Sequence, residues 1–174
     1  MLFCFTSYMT IRTITPNDNP LIAQIIRSAL EEYGENKEGT IYFDPMLDQM
    51  SEHYQTASSR YFIIEDKGLI IGGAGIAPLK GSGSPTETCE LQRMFLSAQA
   101  RGKGYGKLLM NKCLDFAQKK GFKQVYLETL PSLESAVGLY KKTGFKTIET
   151  PMGNTGHRAC DLPMLLQLSA LRQH

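Results

Sequence analysis

Apolar positions along the chain switch between a spacing of two and a spacing of three to four, and the switches divide it into strands and helices. Residues 9–14 alternate through Ile11 and Ile14, which predicts a first strand ended by Pro16. Asn17 or Asp18 then caps a helix over about 20–33, where Leu21, Ile22, Ile25, Ile26 and Leu30 recur at helical spacing and Gly34 stops the run. A polar, acidic stretch follows to residue 45. A shorter helix is predicted from 45 to about 55, with Met46, Leu47, Met50 and Tyr54 as its core positions. Two runs of β-formers, 61–66 and 69–79, flank Lys67-Gly68 and predict a hairpin. Gly72, Gly73 and Gly75 in the second run predict a twist or a close backbone contact.

Between 86 and 97 the pattern breaks in an informative way. The apolar residues fall at Cys89 and Leu91, then at Met94 and Leu96, so odd positions become even ones. A strand has period two, and one extra residue near Gln92 and Arg93 must be absorbed as a β-bulge. A bulge unpairs the ladder and leaves N–H and C=O groups free for a ligand. Next comes a helix over 104–120 with Tyr105, Leu108, Leu109, Cys113, Phe116 and Ala117 as the buried stripe. Lys107, Asn111, Asp115 and Lys119 lie opposite, and Gly121 closes it. A strand over 122–128, through Val125, Tyr126 and Leu127, completes a strand-helix-strand unit with parallel neighbours. Pro131 and Ser132 start a last helix that Gly144 ends, with Leu133, Ala136, Val137 and Tyr140 on one face. Strands over 145–150 and 157–168 finish the chain around a loop at 151–156.

The 174 residues suit a single domain of α/β class, with residues 1–8 reading as an N-terminal extension before a second methionine at Met9. A composition of 42% hydrophobic and 21% charged residues is that of an ordinary globular protein. The net charge of +2, with basic residues dispersed outside 101–107, argues against a nucleic-acid partner. Cys4, Cys89, Cys113 and Cys160 are far apart and form no Cys-x-x-Cys pair, and His53, His157 and His174 lack ligand spacing, so no metal site is predicted. No apolar run approaches the roughly 20 residues of a membrane span, and the cytoplasm is the expected location.

Residues 101–107 read Arg-Gly-Lys-Gly-Tyr-Gly-Lys at the carboxyl end of a strand and the start of a helix. Glycine lets main-chain N–H groups approach a ligand closely, and a helix N-terminus presents unpartnered N–H groups with a positive dipole end. With Arg101, Lys103 and Lys107 added, the segment is either a phosphate cradle or a mobile basic loop. It is not a P-loop, because Arg101 stands in place of the first Gly and Leu108 in place of the hydroxyl residue. The dinucleotide spacing Gly-x-Gly-x-x-Gly is also absent.

Three segments in order carry a resemblance: Glu90-Leu91-Gln92-Arg93-Met94-Phe95-Leu96, the loop Arg101-x-x-Gly104-x-Gly106, and the run from Ala136 through Tyr140 to Gly144-Phe145. Together they resemble the GNAT superfamily of N-acetyltransferases, specifically over about 86–145 and by element order elsewhere. The resemblance implies a GNAT fold: a mixed central sheet with a splayed strand pair, flanked by about four helices. It implies acetyl-CoA as co-substrate, its pyrophosphate held by the main chain of Arg101, Gly102, Lys103, Gly104, Tyr105, Gly106 and Lys107. The backbone of Met94, Phe95 and Leu96 would pair with the pantetheine arm. Glu90 takes the position of a general base and Tyr140 that of the acid for the departing thiolate; read without the family, Glu90 is a solvated strand carboxylate and Tyr140 a core aromatic. Leu133 departs from the pattern, because many relatives have Asn there.

The expected function is acetyl transfer to a primary amine by direct attack in a ternary complex, without a metal. A non-catalytic acyl-CoA sensor is the alternative, and a nucleotide-binding domain of another fold is disfavoured by the missing motifs. A small-molecule amine is expected as acceptor ahead of a protein lysine, with no membrane partner, and a homodimer is left open.

Overall fold

The computed structural model of the chain describes residues 9–83, 86–156 and 160–169. Among them seven strands form one sheet in the order β1-β2-β3-β4-β5-β7-β6. The strands are β1 Met9–Thr13, β2 Arg60–Asp66, β3 Leu69–Pro78, β4 Thr88–Leu96, β5 Gln124–Thr129, β6 Lys146–Thr147 and β7 Leu162–Gln167. The helices are α1 Asn19–Glu32, α2 Met50–His53, α3 Tyr105–Lys119 and α4 Glu134–Thr143. Every strand pair is antiparallel except β4 with β5, which α3 connects as the strand-helix-strand pattern predicts.

The two faces of the sheet bury separate cores, and β2 shows why. Its Tyr61 and Ile63 join Ile14, Ile22, Ile26, Leu30, Leu47, Met50 and Tyr54 on the face covered by α1 and α2. The alternate residues Phe62 and Ile64 join Leu109, Cys113, Ala117, Val125 and Tyr140 on the face covered by α3. Successive side chains of a strand point to opposite faces, so a run with apolar residues at every position belongs inside a sheet covered on both sides. Full burial of each Ile, Leu or Phe contributes about 1.5–3 kcal/mol.

Several elements differ from the sequence pattern for local reasons. Asp18 does not cap α1; residues Pro16–Asp18 form a 3-10 turn. Its carboxylate accepts from the Thr15 N–H and hydroxyl and from Arg12, which hold its pKa down to about 2. The predicted helix over 45–55 is a 3-10 turn, Pro45–Gln49, followed by the single turn of α2. The buried pair Leu47 and Met50 is spaced by three, which the tighter helix aligns. In α3 the buried face runs through Leu109, Met110, Cys113, Leu114 and Ala117, while Leu108 is exposed, so the stripe is rotated from the one expected. The strand expected over 145–150 shrinks to β6, because Phe145 turns inward against Tyr140. The last strand starts at Leu162; residues 157–159 of its expected span lie outside the described residues.

The glycines of β3 are sites of close approach. A Cβ on Gly73 would stand 2.5 Å from the Tyr61 ring and 2.8 Å from the Phe62 carbonyl, and one on Gly75 would stand 2.7 Å from the Tyr54 ring. Two tyrosine rings are thus laid against β3 where side chains would otherwise rise. Gly73→Ala is expected to destabilise the chain by about 1–3 kcal/mol, the usual penalty of overpacking, because one of the two obstacles is backbone. Urea unfolding followed by circular dichroism checks this, and an unchanged midpoint would show that the approach is not tight.

Candidate active site

β4 carries the bulge that the sequence pattern requires. Its pairing with β3 passes from Gln92 opposite Gly75 to Phe95 opposite Gly73, so Arg93 and Met94 face one residue of β3. Before the bulge Cys89 and Leu91 point to the α3 side; after it Met94 and Leu96 do. Arg93 itself has a φ of 49°, in the left-handed region that a side chain seldom adopts. Three tertiary contacts hold it there. The Tyr61 hydroxyl donates to the Arg93 carbonyl at 2.9 Å, and the guanidinium reaches Asp44 Oδ2 at 2.7 Å and the Tyr54 hydroxyl oxygen at 3.1 Å. Arg93 Nε is buried without a hydrogen-bond partner among the described residues.

The parallel pairing of β4 with β5 ends at Glu90 opposite Tyr126. Beyond that point the strands splay, and a cavity lies on each side of the opening. The larger, of about 520 Å³, runs from Met94, Phe95 and Leu96 past the glycine loop to Leu139 and Tyr140 of α4. Gly102 and Gly104 have φ of 74° and 86°, and Gly104 is the residue before the first turn of α3. Only glycine enters this conformation without strain, so the turn that aims the helix N-terminus at the cavity depends on it. No main-chain N–H in residues 102–107 finds an acceptor among the described residues. The cavity therefore ends in a cluster of free donors, which suits an anion.

The side chains of the loop divide. Arg101 lines the cavity with its guanidinium engaged: its Nη1 is bound to the Glu32 carboxylate at 2.8 and 2.9 Å, its Nε donates to the Leu96 carbonyl at 3.2 Å, and it lies over the Tyr33 ring. Tyr105 donates to Asp66, and neither it nor Lys103 lines the cavity. Lys107 does line it. Arg101 thus fastens the loop to the end of α1, while Lys107 lines the cavity without an ion pair among the described residues.

The smaller cavity, of about 70 Å³, lies between β4, β5 and the segment at Thr40 and Ile41, and shares Met94, Phe95, Leu133 and Tyr140 with the larger one. Glu90 lines it and is 3% exposed, not a solvated strand residue. Burial raises its pKa to about 7, opposed by a hydrogen bond from Gln92 Nε2 at 2.5 Å and assisted by the charge of Glu128. Tyr140 stands between the cavities; burial pushes its phenol pKa up, and its hydroxyl has no hydrogen-bond partner among the described residues. Leu133, where α4 begins, offers both cavities an apolar wall.

Sequence reasoning missed Tyr54, which counted only as core, and Glu128, whose carboxylate accepts from Tyr126 at 2.5 Å and Thr155 at 2.6 Å beside the smaller cavity. Asp44 was also missed. The alternation of Tyr126 and Glu128 on β5 could have marked Glu128; nothing local marks the other two.

A family model described as the acetyltransferase (GNAT) family matches residues 22–145. The uncharacterized N-acetyltransferase YjgM of Escherichia coli (strain K12) is 41% identical over 158 residues, covering 90% of this chain and 93% of that protein. The structure of a GNAT-family acetyltransferase from Staphylococcus aureus Mu50 superposes with a TM-score of 0.80 at 18% identity, covering 92% of this chain and 99% of the other. A putative acetyltransferase from Salmonella typhimurium, solved with its cofactor acetyl-CoA, has a TM-score of 0.71 at 22% identity over 93% of this chain and 95% of its own.

Burial of Glu90 has a consequence for stability. Its pKa is 4.5 when unfolded and about 7 when folded, so between those pH values the folded chain holds a proton that the unfolded chain has released. Stability then falls as pH rises across that window and is level above it, by an amount on the order of 3 kcal/mol. Glu90→Gln removes the penalty. The variant is expected to melt several degrees above the parent at pH 8 and alongside it at pH 4.5, measured by calorimetry; equal melting at pH 8 would mean that Glu90 ionises freely.

Proposed function

The chain belongs to the acetyltransferase (GNAT) family and is an acetyl-CoA-dependent N-acetyltransferase, and from that premise we propose that it acetylates a small primary amine by direct attack within a ternary complex. The observation that carries this reading is the pair of cavities meeting at Tyr140, one ending in free main-chain donors and the other lined by a buried carboxylate. Acetyl-CoA supplies the activated acetyl thioester and, in coenzyme A, the leaving thiolate. The N–H groups of residues 102–107 and Lys107 fit its pyrophosphate, and the unpaired edge of β4 at Met94, Phe95 and Leu96 fits an extended amide-bearing arm.

Glu90 accepts a proton from the ammonium of the acceptor. With its pKa near 7 it is substantially ionised at neutral pH yet basic enough to take that proton. Tyr140 donates to the departing sulfur, and its raised pKa keeps the phenol protonated until it is needed. The acceptor cavity is small and walled by Leu30, Ile41, Leu130 and Leu133, which supports a compact amine over a protein lysine.

Acetyl transfer to a panel of primary amines, followed by thiol release, tests the activity; acetyl-CoA binding without turnover on any amine would favour a sensor. In wild type kcat/KM is expected to rise with pH through about 7, and Glu90→Gln to lower turnover at neutral pH by about 10² to 10⁴ with that rise lost. Tyr140→Phe removes one oxygen and keeps the ring against Phe145, so turnover should drop roughly 10²-fold while acetyl-CoA affinity holds. Full turnover in that variant would assign the proton to another donor. Gly104→Val forces a branched residue into a left-handed conformation and should abolish most coenzyme A affinity in calorimetry.

A further inference from the structure

Glu90 stands at the end of a chain of hydrogen bonds that runs through three elements. Asp44 Oδ2 holds Arg93 Nη2 at 2.7 Å, Arg93 Nη1 meets the Tyr54 oxygen at 3.1 Å, that hydroxyl meets Gln92 Oε1 at 2.7 Å, and Gln92 Nε2 meets Glu90 Oε2 at 2.5 Å. The direction of every bond follows from one fact. A guanidinium can only donate, so the Tyr54 oxygen accepts from Arg93 and its own proton goes to Gln92. The carbonyl end of the Gln92 amide is thereby occupied, and its N–H₂ end must face Glu90.

We propose that Gln92 and Tyr54 are positioning residues for the base, spending Glu90 Oε2 on a fixed amide N–H so that Oε1 alone receives the proton of the acceptor amine. Glu90 Oε1 has no hydrogen bond among the described residues, and Glu90 lines the acceptor cavity. This inference rests on Glu90 acting as the base.

The other groups that face Glu90 do not supply this control. Cys89 precedes it and Arg93 lies three residues on in β4, Tyr126 and Glu128 act on it from β5, Tyr54 from the end of α2, Lys80 from the turn after β3, and Cys160 from the segment before β7. Burial and Glu128 favour the protonated acid; Arg93 and Lys80 favour the carboxylate from a distance. Among these influences the Gln92 bond is the largest that favours ionisation, and it alone selects an oxygen.

The test is a ¹³C NMR titration of the full chain labelled at glutamate carboxyl carbons, with the Glu90 signal assigned by its loss in Glu90→Gln. Removing the donor in Gln92→Met is expected to raise the Glu90 midpoint by about one pH unit. Tyr54→Phe, which frees the Gln92 amide to turn, should move it in the same direction by less. Tyr54→Phe keeps its ring 5.3 Å from Tyr61 and so decides the matter if Gln92→Met fails to fold. An unchanged midpoint in the folded variants would overturn the proposal. A raised midpoint together with full acetylation by Glu90→Gln would uphold the hydrogen-bonded chain and remove Glu90 from the reaction.

Discussion

The left-handed backbone at Arg93 is the constraint on which the site depends. A non-glycine residue held there costs on the order of 1–3 kcal/mol, so it persists only where surrounding contacts over-determine it. Here they come from outside the strand: the Tyr61 hydroxyl on the carbonyl, and Asp44 and Tyr54 on the guanidinium. The extra residue reverses which side chains of β4 face each core. It also lies in the part of the strand that β5 no longer pairs, so the distorted segment is the one with backbone available to a ligand.

The bare backbone of β3 makes those contacts geometrically available. Gly73 and Gly75 leave room for the rings of Tyr61 and Tyr54 directly against the strand, and both hydroxyls then reach β4 at the bulge. A second set of contacts fixes the other end of the larger cavity. Arg101 joins Glu32 and Tyr33 to the Leu96 carbonyl, so α1, the end of β4 and the glycine loop are held as one body. A basic side chain in a glycine-rich loop can serve the loop itself; this one is occupied in holding the segment whose main chain faces the cavity.

Glu90 shows the opposite balance between stability and function. Its desolvation is unfavourable to the charged form, and the same desolvation gives a carboxylate the basicity to take a proton near neutral pH. Tyr140 is buried with the same sign of effect, but for a phenol that keeps a proton in place. Burial thus acts on both groups in one direction, toward the protonated form.

Local pattern determined a good deal of this protein. The hairpin at Lys67-Gly68, the bulge inferred from Cys89 and Leu91 giving way to Met94 and Leu96, the helix that follows the glycine loop and the stop at Gly144 are all present, because period, turn chemistry and glycine conformation act over a few residues. Tertiary structure alone decided what those elements hold. Arg93 meets Asp44 from 49 positions away, Tyr54 meets Gln92 from 38, and Arg101 meets Glu32 from 69. No periodicity records such pairs, since each partner looks locally like a loop acid, a core aromatic or a surface charge. The rotated stripe of α3 and the burial of Glu90 belong to the same class: a strand or helix fixes which residues share a face, and only packing fixes which face is covered.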